Sequence, residues 1–117
     1  MKFSGVLIGS ENAKALGEFY TQFLGKPGWQ EGDWYGWQES AGMMIGSHSE
    51  VHGKNVAPAR IMLTLEVEDV EAAYEKVMEC GATSVAEPYK PDPSSDMLLA
   101  TVADLDGNYV QLARPWK

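Results

Sequence analysis

At 117 residues and 44% hydrophobic content the chain can bury a packed interior without covalent staples, and its single cysteine, Cys80, excludes an internal disulfide. Seventeen acidic against nine basic side chains set a formal net charge of -8, which repels phosphate backbones and anionic lipid and so argues for no nucleic-acid and no membrane partner. The opening MKFSGVLIGSEN holds an apolar run too brief for a signal-peptide core or a membrane span, and the expected location is cytoplasmic.

Phe3 to Ile8 is a short apolar stretch suited to a strand, and Ser10-Glu11-Asn12 breaks it with Asn12 placed to cap a helix. Leu16, Tyr20, Phe23 and Leu24 then recur at helical spacing until Gly25-Lys26-Pro27-Gly28 stops the run. Trp29 to Gln38 is aromatic and broken by glycines, and it turns at Glu39 to Gly42 into Met43 to Ser47, the pattern of a hairpin. His48 to Ala59 is polar and aperiodic, as expected of a linker.

The pattern restarts at Arg60 to Val67, where Ile61, Leu63, Leu65 and Val67 alternate with Met62, Thr64 and Glu66 in the manner of a strand with one packed face. Asp69 takes the capping role of Asn12, and Val70, Ala73, Tyr74, Val77 and Met78 form a helical stripe that ends at Gly81. Thr83 to Ala86 reads as a strand. Glu87 to Asp96, with three prolines, reads as an irregular loop because proline cannot donate to a sheet ladder. Leu98 to Ala103 and Tyr109 to Ala113 are strands joined through Leu105-Asp106-Gly107-Asn108, residues suited to a tight reversal.

Strand, cap, helix and glycine thus occur twice, at Phe3 to Gly25 and at Arg60 to Gly81. The expected fold is α+β: two βαβββ modules forming a curved mixed sheet with helices outside. Residues 1–47 would form repeat 1, 48–59 a linker and 60–117 repeat 2 of one domain.

Ser10 to Leu16 with Phe19-Tyr20 and Leu24-Gly25, the second copy Val67 to Ala73 with Gly81-Ala82, and the closing DLDGNYVQL of Asp104 to Leu112 together resemble the vicinal oxygen chelate superfamily, the glyoxalase/bleomycin-resistance/extradiol-dioxygenase group. Leu105 stands where the family's Asp-Pro-Asp-Gly-Asn turn has proline. The resemblance spans nearly the whole chain. It implies the fold above, and in the enzymes of the group a divalent metal held by a His from the first strand of each copy and a Glu from the last strand. Counted from the caps, those positions fall on Gly5, Met62 and Gln111. Glycine has no side chain, a thioether is too soft for Mg, Mn, Fe(II) or Zn, and an amide oxygen alone is a feeble ligand. The expectation is therefore no metal and no cofactor.

The remaining chemistry-bearing residues have ordinary explanations. His48 and His52 have a spacing that serves a metal only on a helix, and they lie in the linker. Asp104, Asp106 and Asn108 imitate a calcium loop, but glycine falls at the fourth place instead of the sixth. Cys80 at a helix end is expected to be a half-buried structural thiol, and no nucleophile constellation or phosphate loop is present, so catalytic residues are unassigned.

What stands out is Trp29, Trp34, Tyr35 and Trp37, followed by Met43 and Met44. Strand parity sends either Trp34 with Gly36, or Tyr35 with Trp37, to the cleft side, and rings there can stack on a flat ligand. The expected ligand-binding set is Met62, Thr64, Tyr109 and Gln111 with some of Trp34, Tyr35 and Trp37, and Gly5 and Gly9 are expected to leave room beside it. The expected function is metal-free binding of a flat or cationic small organic molecule, most like the bleomycin-resistance branch, where resemblance implies capture without turnover. The alternatives are a metal-dependent glyoxalase-like lyase or isomerase or dioxygenase-related enzyme using Gln111 with Glu66 or His48, and a dimeric interaction module. A homodimer is expected in each case.

Overall fold

In the computed structural model, which describes residues 1–114, the chain divides into two compact units, Met1–Lys54 and Asn55–Lys117. In the first, β1 (Val6–Ser10) leads into α1 (Ala13–Leu24), and β2 (Trp29–Glu31), β3 (Trp34–Trp37) and β4 (Met43–Ser47) follow. The second repeats this order with β5 (Leu63–Glu66), α2 (Val70–Glu79), β6 (Thr83–Tyr89), β7 (Leu99–Ala103) and β8 (Tyr109–Ala113). Each unit is a βαβββ module with one helix and one mixed four-stranded sheet, ordered β1-β4-β3-β2 and β5-β8-β7-β6. In both, the first strand pairs parallel with the last, and the other pairings are antiparallel. The expected α+β class and duplicated module are present.

The two helices start differently. Asp69 Oδ1 accepts the Ala72 N–H at 3.0 Å, an N-cap of the expected kind. Asn12 occupies the cap position of α1 without a side-chain capping bond; instead its own N–H donates to the hydroxyl of buried Ser10 at 3.0 Å. Gly25 closes α1 with φ +88° and an N–H bond to the Thr21 carbonyl at 3.0 Å.

In unit 1 the helix covers one sheet face. Leu16, Phe19 and Tyr20 of α1 pack there with Tyr35, Trp37, Met43 and Ile45, all at most 3% exposed. In unit 2 Val70 and Val77 of α2 pack with Ala100, Val102, Val110 and Leu112 in the same way. The opposite face of each sheet carries no helix of its own unit.

Three boundaries differ from expectation. β1 begins at Val6, three residues after Phe3, because Gly5 adopts φ +148° and the residues before it are exposed. β5 is shorter than Arg60 to Val67, since Arg60 N–H closes a turn onto the Ala57 carbonyl at 3.1 Å. β6 continues through Pro88 to Tyr89, into the stretch expected to be a loop. It is an edge strand whose register shifts between Ala86 and Tyr89, so no ladder bond is demanded of the proline.

The stretch 48–59 is divided between the units. Its first part folds back on unit 1, where Val51 Cγ2 lies 2.9 Å from where a Cβ of Gly9 would stand. There Glu11 also accepts from Gly53 N–H at 3.3 Å and pairs with His52 Nδ1 at 3.3 Å. In unit 2, Asn55 N–H donates to the Asp106 carbonyl at 2.8 Å, and Asn55 Nδ2 to Asn108 Oδ1 at 3.0 Å. The 104–108 reversal is organised by Asp104, whose Oδ1 accepts the Asp106 and Asn108 N–H groups, both at 2.9 Å. Turn architecture thus accounts for the residues that imitate a calcium loop.

Candidate functional site

Register decides which side chains the helix-free faces present. In unit 1, Tyr35 pairs with Ile45 and Trp37 with Met43, and all four face α1. Trp34 and Gly36 therefore take the other face, with Met44, Gly46 and Leu7 beside them. In unit 2, Thr64 and Thr101 flank Gln111 in register, and Tyr109 stands beside Ala103 on the same helix-free face.

Tyr35 and Trp37 are core residues. Their rings stack at 6.0 Å with an interplanar angle of 11°, and Trp37 Nε1–H donates to the Gly25 carbonyl at 2.9 Å. Burial pushes the Tyr35 phenol above its ordinary pKa, and the nearby Glu18 and Asp33 carboxylates add to that. Gly17 of α1 has no room for a side chain because a Cβ there would stand 2.4 Å from Tyr35 Cδ1 and Cε1. This glycine on the apolar side of a helix was the available sign that a large ring lies beneath it.

Trp34 is half-buried and lies across Gly46, 2.3 Å from where a Cβ would stand. Glycine there lets the indole lie flat on the sheet. The space expected at Gly9 is occupied, since Val51 and the His48 Cβ fill it.

On unit 2, Gln111 and Tyr109 are half-buried and Thr64 is exposed. Thr64 Oγ1 donates to Gln111 Oε1 at 3.4 Å across the parallel β5–β8 pair. Met62 is half-buried immediately before β5. The structure thus brings Thr64, Gln111 and Tyr109 onto one sheet face and places Trp34 on the helix-free face of the other unit.

The residues do not fit a metal of the superfamily's kind. A Cβ at Gly5 would stand 2.6 Å from the Gly42 carbonyl oxygen, and φ +148° is itself a backbone setting that side chains rarely adopt. That oxygen also accepts the Val6 N–H at 2.8 Å, so it is not free to retreat. An imidazole at position 5 therefore requires a different backbone there. Gln111 already receives the Thr64 hydroxyl, and Met62 offers only sulfur. Among the described residues no group of three or more His, Cys, Asp or Glu side chains could hold a metal ion. His48 and His52 are exposed and locally engaged: His48 Nδ1 accepts the Glu50 N–H at 3.2 Å, and His52 pairs with Glu11.

Residues 5–113 match the family model described as Glyoxalase-like domain. Among solved structures, a glyoxalase/bleomycin resistance protein from Albidiferax ferrireducens T118 has a TM-score of 0.75 at 18% identity, covering 96% of this chain and 98% of that one. A glyoxalase/bleomycin resistance protein/dioxygenase family enzyme from Burkholderia phytofirmans PsJN has a TM-score of 0.71 at 19% identity, covering 97% and 98%. A protein of unknown function from Agrobacterium tumefaciens str. C58 has a TM-score of 0.78 at 16% identity, covering 98% and 94%. At these identities the likeness is one of fold. No curated protein is similar enough to count as a relative.

Proposed function

Since the chain belongs to the glyoxalase-like domain family, we propose that it is a metal-free binding protein of that fold, capturing a flat or cationic small organic molecule on a helix-free sheet face without turnover. The observation that carries the proposal is the backbone at Gly5, where φ +148° and the Gly42 carbonyl 2.6 Å from a would-be Cβ exclude the imidazole on which the superfamily's metal chemistry depends. With that position closed to a ligand, no reaction step is assigned to a metal.

The binding groups are those left on the helix-free faces. Trp34 offers a ring face, and stacking on it contributes about 0.5–1.5 kcal/mol beyond the area buried. On unit 2, separately, Gln111 accepts the Thr64 hydroxyl at Oε1 and directs its Nε2 as a donor, and Tyr109 and Met62 supply an apolar wall. Tyr35 and Trp37 enter indirectly, as the packed layer that holds β3 in place beneath α1. One family model spanning 5–113 supports treating 1–117 as a single functional domain. The homodimer and the cytoplasmic location belong to the same proposal: the first rests on the exposed apolar side chains, the second on the lone cysteine. No helix among the described residues is long and apolar enough to cross a membrane.

The test has two parts. Elemental analysis of protein purified without chelator should give no stoichiometric transition metal, and a full equivalent would refute the metal-free reading. Titration with flat aromatic cations should quench tryptophan emission, and Trp34→Ala should weaken binding by about 2- to 13-fold, the range set by the stacking contribution. Unchanged affinity in Trp34→Ala would remove that ring from the site.

A further inference from the structure

A second feature of the helix-free face in unit 1 lies at the end of β1 away from Trp34. A cavity of about 410 Å³ opens there, lined by Gly5, Leu7, Gln38, Gly42 and Met44 among others. Its size falls within the range of about 300–1,000 Å³ usual for small-molecule pockets. None of the side chains lining it is charged, although the chain carries a net charge of -8. No charged side chain there would pair with an ionic ligand, so the lining favours neither sign of charge.

The lining specifies more than neutrality. Leu7, 51% exposed, and half-buried Met44 are register partners on adjacent parallel strands, so their side chains stand next to each other on the same face. Sulfur against an aromatic ring contributes about 0.3–1.5 kcal/mol. Gly5 and Gly42 present bare backbone, against which a planar molecule can lie closely. The Gln38 side chain folds over the same face, with its Oε1 2.9 Å from where a Cβ of Gly36 would stand, and brings an amide donor and acceptor to the rim.

We infer that this cavity is a subsite for a neutral, planar aromatic group, packed against Leu7 and Met44 and hydrogen-bonded by the Gln38 amide. The inference rests on the ligand-binding function proposed above and names the ligand class for one part of it. Glycine at position 5 lets β1 approach the Gly42 backbone closely, which brings both bare backbones to the cavity wall.

The experiment is a titration of the full chain, labelled with 13C at the methionine methyls, with 1-naphthol, indole and quinoline, with tryptophan emission read in parallel. The expected result is a saturable shift of the Met44 methyl with Met78 and Met97 unmoved. Leu7→Lys, at a half-exposed position that does not threaten folding, should weaken affinity at least tenfold, and Gln38→Ala severalfold for 1-naphthol. A Met62 shift or tryptophan quenching with Met44 unmoved would overturn the subsite while leaving the proposed function standing. Silence at every methyl and in the emission would overturn the subsite, and silence toward the aromatic cations as well would overturn the proposed function with it. A Met44 shift that depends on protein concentration before any probe is added would show a second copy covering the cavity, and would also overturn the subsite.

Discussion

Gly17→Ala is a substitution for which two physical rules predict opposite signs. Glycine inside a helix costs about 0.5–1 kcal/mol relative to alanine, so propensity alone predicts a gain. The added Cβ, however, would stand 2.4 Å from two ring carbons of Tyr35, and ordinary contact begins at 3.4 Å. The ring must therefore shift by about 1 Å, the difference between those distances. It has little freedom to do so: Tyr35 is 3% exposed and stacked on Trp37, which is 2% exposed and tied to the Gly25 carbonyl. Overpacking of this kind costs about 1–3 kcal/mol, which exceeds the propensity gain. Urea unfolding should show Gly17→Ala destabilised by up to about 2.5 kcal/mol on those two magnitudes. In a Tyr35→Leu background the same change should become neutral or stabilising, because the clashing ring is gone. A stabilised Gly17→Ala in the wild-type background would refute the placement of Tyr35 beneath α1 and return it to the candidate ligand set.

Two further outcomes are expected. The triple variant Gly5→His, Met62→His, Gln111→Glu restores the ligand types of the superfamily at the equivalent positions, yet it should fail to bind zinc or nickel stoichiometrically by calorimetry, because position 5 does not accept a side chain in this backbone; tight binding of one equivalent would show that the backbone yields. Glu11 is held below its ordinary pKa by the Gly53 N–H and by His52, so the tie it provides is complete above about pH 4.3 and is lost as pH falls through its lowered value. The Gly53 amide resonance should accordingly move on acidification below that range, and Glu11→Gln should abolish the movement; a Gly53 titration that persists in the variant would assign it to another group.

The duplicated βαβββ plan was legible in the chain because helical and strand periodicities are local, and a polar break before each helix with glycine after it marks the ends. That glycine, methionine and glutamine stand at 5, 62 and 111, where the resemblance places the superfamily's metal ligands, was read by counting from those caps. Strand parity likewise showed that Trp34 and Trp37 point to opposite sides. Which side the helix would cover was not written in the strand, because both sets are aromatic and either could serve a core. That choice was made by the partners that tertiary structure supplied: Gly17 above Tyr35, Gly46 beneath Trp34, and the Gly25 carbonyl waiting for the Trp37 indole. Position 9 shows the same limit from the other direction, since a bare glycine looks like space until Val51, distant in sequence, is found filling it. Periodicity is a property of neighbours along the chain. Occupied volume depends on what folding brings together, and the site's accessible surface was decided there.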